Sequence, residues 1–215
     1  MKDPNIVAVF DIETLDLAPS AIVLSMGVVL FDISMVQPFD ELVAQGTNLY
    51  FNQNEQVAKG RTESESTRQF WNEQGPEASE CLDNPNKMDC EDLYGQLSLL
   101  YAKLNFKPDP KETRWFSRGY FDVVVMNDFC KTFELKEMFK YWAWRDARSF
   151  LDGTGIGQSN QKLVKPDEMI PHNSHHDAAF EAYMLQRLLN NAPIEVQEYD
   201  RPLIPRTYSR VSARG

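Results

Sequence analysis

Ile6-Val7-Ala8-Val9-Phe10-Asp11-Ile12-Glu13-Thr14 is the stretch that decides the architecture of this 215-residue chain. Its first five residues are continuous, apolar and rich in β-branched side chains, the composition of a central strand buried on both faces. The strand then runs straight into Asp11. Asp11 and Glu13 stand two apart, and on an extended chain that spacing turns both carboxylates to one side. Two like charges several Å apart at the end of a buried strand are unfavourable unless a proton or cation compensates them, and a divalent metal is the natural compensator. The bland alternative is a solvated strand end. The same spacing recurs in Asp89-Cys90-Glu91. That pair has no apolar strand before it and opens a polar helix, where acids answer the macrodipole. It serves as an internal control on the first.

Outward from this strand, the Pro19-Ser20 break precedes a second strand predicted over 21–32, and a less regular third falls within 38–51. The three form a meander. Helices are predicted over 65–74 and 89–104, the latter from Leu93, Leu97, Leu100 and Leu104 at spacings of four and three. The acid-rich stretch 76–93 reads as a solvated loop leading into that helix. A short strand over 114–117 ends in a turn at Gly119. Residues 120–131 favour strand on propensity but helix on the i+4 recurrence of Phe121, Val125 and Phe129, and helix is the reading adopted. Ala178, Ala182, Leu185 and Leu189 mark one face of a last helix, with Asn173 or Ser174 as its N-cap. Strands first, then alternation with helices, predicts an α/β fold on a mixed sheet.

The composition sets the outer limits. With 42% hydrophobic residues there is enough apolar side chain for one sizeable core, and global disorder is excluded. The longest apolar run, 21–31, is interrupted by Ser25 and falls short of the ~20 residues of a membrane helix. Met1-Lys2 leads at once into Asp3-Pro4, unlike a signal peptide, so a soluble protein of the cytoplasm is expected, with no membrane partner. Three cysteines without C-x-x-C spacing imply neither a disulfide framework nor a thiolate zinc site, and fit a reducing compartment. A net charge of −10 repels phosphate backbones at long range, so any polyanionic partner must be held locally. Residues 201–215 reverse that sign with four arginines and no acid. They read as a basic tail following a domain over 1–200: a flexible end, or else a phosphate-touching arm.

All three histidines lie within Pro171-His172-Asn173-Ser174-His175-His176-Asp177. Without a nearby cysteine or H-E-x-x-H spacing, a zinc site is not supported. His175 and His176 are expected at the surface. His172 and Asp177 differ, because five positions across a helix start put one side chain in the entering loop and the other in the first turn. There the positive helix terminus favours ionised Asp177 and neutral His172, which suits a metal ligand beside a general base. Asp122, after Gly119-Tyr120-Phe121, stands at another helix start and could be an ordinary first-turn acid. The aromatic run Phe139-Lys140-Tyr141-Trp142-Ala143-Trp144-Arg145 is expected to alternate into the core, leaving Arg145 or Arg148 for surface contacts.

Taken together and in order, Asp11-Ile12-Glu13-Thr14, Phe121-Asp122, and His172 with Asp177 five residues on resemble the three motifs of the DEDDh 3′-to-5′ exonucleases. The resemblance spans about residues 5–190. Asp-Ile-Glu-Thr, Val23-Leu24-Ser25-Met26-Gly27 and Trp71-Asn72-Glu73-Gln74 are most similar to the branch of phage exonuclease A and bacterial exonuclease VIII. It implies a ribonuclease H-like fold, a three-strand antiparallel meander plus parallel strands flanked by helices. It also implies that Asp11, Glu13, Asp122 and Asp177 hold two Mg²⁺ or Mn²⁺ ions, with His172 as base. Thr14 and Leu15 match positions that hold the terminal nucleotide, and Phe121 and Arg118 join them on the substrate side. The implied substrate is the 3′ end of single- or double-stranded DNA, with RNA trimming as the rival and a silent binding module a further one. Asp16 departs from the small residue usual in relatives, and Arg118-Gly119 replaces an Asn-Gly.

Overall fold

The computed structural model describes residues 5–107, 113–154 and 161–198. The expected basic tail, 201–215, lies outside them. Strand β1 (Ile6–Thr14) is the centre of a five-stranded sheet in the order β3-β2-β1-β4-β5. It pairs antiparallel with β2 (Val23–Asp32), which pairs antiparallel with β3 (Gly46–Tyr50), completing the predicted meander. On its other side β1 runs parallel to β4 (Trp115–Ser117), and β4 parallel to β5 (Trp144–Asp146). The sheet is therefore mixed, and the loop after β4 leaves at the same edge as the end of β1.

Side-chain alternation along β1 sorts its residues between two cores. Ala8, Phe10 and Ile12 pack against Leu93, Leu97 and Leu100 of α5 (Leu93–Lys103) and Val125 and Phe129 of α6 (Phe121–Thr132). Val7 and Val9 face Ala178, Ala182 and Leu185 of α8 (Ser174–Leu189). By the same parity Asp11 and Glu13 continue the α8 face. Gly27, the partner of Asp11 across the β1–β2 ladder, makes that approach possible. A Cβ built on Gly27 would lie 2.1 Å from the Ser174 carbonyl oxygen, so only a residue without a side chain lets the start of α8 rest on the sheet here. The Ser25 and Ser174 hydroxyls, 2.8 Å apart, pin the same junction, and Ser174 Oγ donates to Asn48 Oδ1 on β3.

Three expectations need correction. The third strand is only Gly46–Tyr50, because Phe39–Ala44 forms a helix, α1, that buries Phe39 and Leu42. Within 76–93 the first eight residues form α4 (Pro76–Asp83), opened by Gly75 as N-cap and Pro76 in its first turn, with Cys81 buried. Leu189 does not join the buried face of α8 and is exposed at its end. Further short elements were not foreseen, among them α7 (Ala147–Gly153), which buries Ala147 and Leu151. Helix α2 (Gln53–Ala58) buries Gln56, whose amide bridges the Val23 backbone, accepting from its N–H and donating to its C=O. A small ribbon of β6 (Gln161–Leu163) and β7 (Val196–Glu198) forms a second sheet. Helix α3 (Glu65–Asn72) and the helix reading of 120–131 stand as predicted. Among the described residues no helix is long and apolar enough to cross a membrane.

Candidate active site

The end of β1 supplies Asp11 and Glu13, and the first turn of α8 lies over them. Asn173 caps α8, its side chain accepting from the backbone N–H groups of His175 and His176, and this fixes Asp177, half-buried, in the first turn at the positive end of the helix dipole. One carboxylate oxygen each from Asp11, Glu13 and Asp177 lies within 4.8 Å of the others. Asp122 arrives from the parallel side. After β4 the chain turns at Gly119, whose φ of +96° favours glycine and whose N–H donates to Asp146 Oδ1 at 3.0 Å. Two residues into the following segment α6 begins, and Asp122, 6% exposed, stands close enough to raise the pKa of both Asp11 and Glu13.

The electrostatics are those of negative charges crowded out of water. Burial, then Asp122, Glu13, Asp177 and Glu181, hold the Asp11 carboxyl well above the usual carboxylate range. Burial and then Asp177 and Asp122 do the same to Glu13. Asp122 is pushed up to about 7 by burial and by Glu181, with Arg148 pulling the other way. Asp177 is raised by burial, while Lys165, His172 and Arg118 draw it back. Protons or cations must therefore share this site with the acids. The donor set is all carboxylate oxygen, hard and able to bridge, which fits Mg²⁺ or Mn²⁺ and does not suit a soft metal.

His172 sits in the loop before α8, exposed, with φ +61°. That left-handed backbone is unusual for a residue with a side chain and costs of order 1–3 kcal/mol. It directs a backbone N–H to Asp177 and leaves the imidazole edge-on against Phe70, ring centroids 5.1 Å apart. Neither His175 nor His176 is the surface residue expected. Helix α1 covers them: His175 Nε2 donates to Val43 O at 2.9 Å, and burial depresses its pKa to about 4. His176 Nδ1 accepts from the Ile170 N–H, and its ring packs against Phe39.

The expected substrate contacts divide. Thr14 is nearly buried and its hydroxyl donates to the Asp16 carbonyl. Leu15 is fully buried with Ile22, Leu24 and Trp71, and its N–H and C=O are taken by Ile22 and Ser64, so it offers no surface to a nucleotide. Leu17, 77% exposed, is the apolar side chain this loop shows to solvent. Phe121 is exposed at the start of α6, and Arg118 Nη1 is held by Glu181 Oε1 at 2.9 Å. Of the two arginines offered for surface contacts, Arg148 lies within electrostatic reach of Asp122, while Arg145 folds onto the Trp142 and Trp144 carbonyls. In the aromatic run Phe139 and Ala143 are core, and Tyr141 and Trp142 are exposed. Sequence reasoning missed Glu181 and Lys165. Glu181 had a usable signal: an acid four residues after Asp177, hence on its face of the helix, inside an otherwise apolar Ala-Ala-Phe-x-Ala segment. Lys165, its Nζ 3.9 Å from Asp177 Oδ1, comes from a loop with no such pattern.

The family model described as 3′-5′ exoribonuclease Rv2179c-like domain matches residues 7–189. An exodeoxyribonuclease of Enterobacteria phage T4 is 28% identical over 210 residues, covering 86% of this chain and 89% of its own length. Among solved structures, a 3′-exonuclease described with 3′-end-specific recognition of a histone mRNA stem-loop superposes with a TM-score of 0.54 at 12% identity, over 92% of this chain and 68% of that one. A product-bound exonuclease I gives a TM-score of 0.52 at 8% identity, over 87% of this chain but only 44% of its own. These last two likenesses speak to the fold, which is of the ribonuclease H-like type that such exonucleases share. The chain belongs to the 3′-5′ exoribonuclease Rv2179c-like domain family and is a 3′-5′ exonuclease.

Proposed function

We propose that this exonuclease shortens DNA from its 3′ end, one nucleoside 5′-monophosphate at a time, by hydrolysis that depends on two Mg²⁺ or Mn²⁺ ions. The observation that carries the reading is the convergence of Asp11, Glu13 and Asp177 within 4.8 Å at the edge where Asp122 also arrives. Asp11, Glu13, Asp122 and Asp177 would hold the ions through their carboxylate oxygens. Bound there, the ions supply Lewis acidity toward the phosphate and the attacking water. His172 accepts that water's proton on a ring nitrogen as the new P–O bond forms and the bond to the 3′ oxygen breaks, a role worth about 10²–10⁴ in rate. Its odd backbone and its seat against Phe70 support the assignment by holding the ring beside Asp177. Loaded with divalent ions, the cluster turns from repelling to attracting phosphate, which reconciles a net charge of −10 with a nucleic-acid substrate.

Thr14, Phe121 and Arg118 remain the proposed substrate contacts, with Leu17 in place of Leu15 as the apolar contact of its loop. The similarity to the phage exodeoxyribonuclease supports DNA and the phage exonuclease branch. The family description supports RNA trimming as the second reading. Three buried free thiols fit the reducing cytoplasm of a bacterium or phage-infected cell. The test is end-labelled DNA and RNA of identical sequence, incubated with Mn²⁺ or with chelator. Labelled mononucleotide should leave the 3′ end only, with Mn²⁺ only, and faster from DNA. Equal release in chelator would overturn the metal dependence, and faster release from RNA would favour the second reading.

A further inference from the structure

Glu181 lies outside the proposed metal-binding set, yet it is the least exposed carboxylate of the site. Its side chain is 3% exposed; Oε1 accepts from Arg118 Nη1 at 2.9 Å, and Oε2 is buried with no hydrogen-bond partner among the described residues. Its neighbours on α8, Phe180 and Ala182, are buried apolar residues. Packing alone would place another apolar side chain here, because a buried acid half-satisfied by one arginine is a poor source of stability. The acid must be explained by what it holds.

Arg118 comes from the turn after β4, four residues before Asp122, and its side chain is 38% exposed. Its charge is felt at Asp177 as well as at Glu181. An unanchored guanidinium beside four carboxylates would collapse onto them and compete with cations for their oxygens. Anchored from beneath by Glu181, it keeps the opposite edge of its planar fork of donors for another acceptor. Arg118 and Glu181 thus form one matched device.

Resting on the exonuclease reading above, we infer that Glu181 is a positioning residue. Its buried carboxylate holds the Arg118 guanidinium at the mouth of the metal-binding carboxylates, where it grips a phosphate of the strand on the 5′ side of the scissile bond.

The test is steady-state hydrolysis of a 3′-labelled oligodeoxynucleotide with Mn²⁺ by the full-length protein, as wild type, Arg118→Ala, Glu181→Gln and the double variant. Arg118→Ala should raise KM about tenfold, the loss of one charge-assisted hydrogen bond, with a smaller change in kcat. Glu181→Gln, which keeps the shape and loses the charge, should raise KM comparably, and the double variant should be no worse than Arg118→Ala. A second measurement places a neutral methylphosphonate singly at each of the first few linkages 5′ of the scissile bond. One position should cost the wild type about as much as Arg118→Ala costs, and should cost that variant little more, a pattern that a merely structural role would not produce. Wild-type KM in Glu181→Gln would overturn the inference. So would undiminished methylphosphonate sensitivity in Arg118→Ala, which decides the matter even where Glu181→Gln fails to fold. A wild type that releases no nucleotide with Mn²⁺ would instead strike down the exonuclease reading, and the inference with it.

Discussion

Asp11-Ile12-Glu13 and Asp89-Cys90-Glu91 have the same acid spacing and opposite fates. In both, the middle residue is buried in one and the same apolar core, and the flanking acids turn away from it. What differs is what lies across from the acids. Asp11 and Glu13 meet the start of α8 and the start of α6, each bringing another carboxylate, and burial with these neighbours raises the pKa of both. Asp89 precedes and Glu91 lies within a 3-10 turn (Cys90–Asp92) before α5, and both face solvent, with Glu55 of α2 brought close to Asp89. Spacing along the chain decides which side a charge takes. The elements packed over that side decide whether the charge has chemistry to do.

The largest expected contrast is in turnover. Asp11→Asn and Asp177→Asn should each lower kcat by at least ~10³-fold and abolish Mn²⁺ binding by titration calorimetry, whereas Asp89→Asn should stay within about twofold of wild type on both measures. Equal damage at Asp89 would break the contrast and move the site. Next, His172→Ala should lose about 10²–10⁴ in kcat while Mn²⁺ binding persists, separating a base from a ligand. His172→Ala with wild-type turnover would remove the imidazole from the reaction.

The smallest effect is on stability and sharpens the comparison through pH. A carboxyl whose pKa is raised on folding contributes stability that is present below its unfolded value, 3.8 for Asp, and is lost as pH rises through its folded value, about 7 for Asp122. His175 runs the other way, its pKa falling from 6.5 to about 4, so its contribution is present above 6.5 and lost as pH falls through 4. Between pH 6.5 and 8 only the carboxylates of this set still act. The metal-free protein should therefore melt lower at pH 8 than at 6.5, Mn²⁺ should raise the melting temperature more at pH 8, and Asp122→Asn should flatten the metal-free slope. Asp89→Asn should leave that slope unchanged.

Much of this arrangement was legible in the sequence. The apolar run into Asp11, the leucine spacing of α5 and the alanine face of α8 each report burial through a period, and the motif order brought Asp122 and Asp177 to the right edge. The misses have local causes. Helices α1 and α4 bury only Phe39 and Leu42, and Cys81, respectively, too few apolar positions to outweigh the polar residues between them. Missing α1 also hid the burial of His175, whose partner is the Val43 carbonyl on that helix. Leu15, a substrate contact implied only by the resemblance, is turned inward where the β1–β2 register shifts between Glu13 and Thr14. Simple alternation from Asp11 and Glu13 would set Leu15 on the acidic side, but a bulge changes the parity and turns it inward toward Trp71. Glu181 was passed over because its partner, Arg118, lies far earlier in the chain, a pairing that no periodic pattern reports.

The contact at Gly27 works as a calliper. Two groups of carboxylates, one on a strand and one on a helix more than a hundred and sixty residues later, keep their separation because, on the adjoining strand β2, only a hydrogen atom stands between the Gly27 backbone and the start of α8. A methyl group there would have to prise α8 from the sheet by more than an ångström to reach ordinary contact, and Asp177 would travel with it, away from Asp11. The spacing of the carboxylate cluster is thus written in a residue that carries no functional group at all.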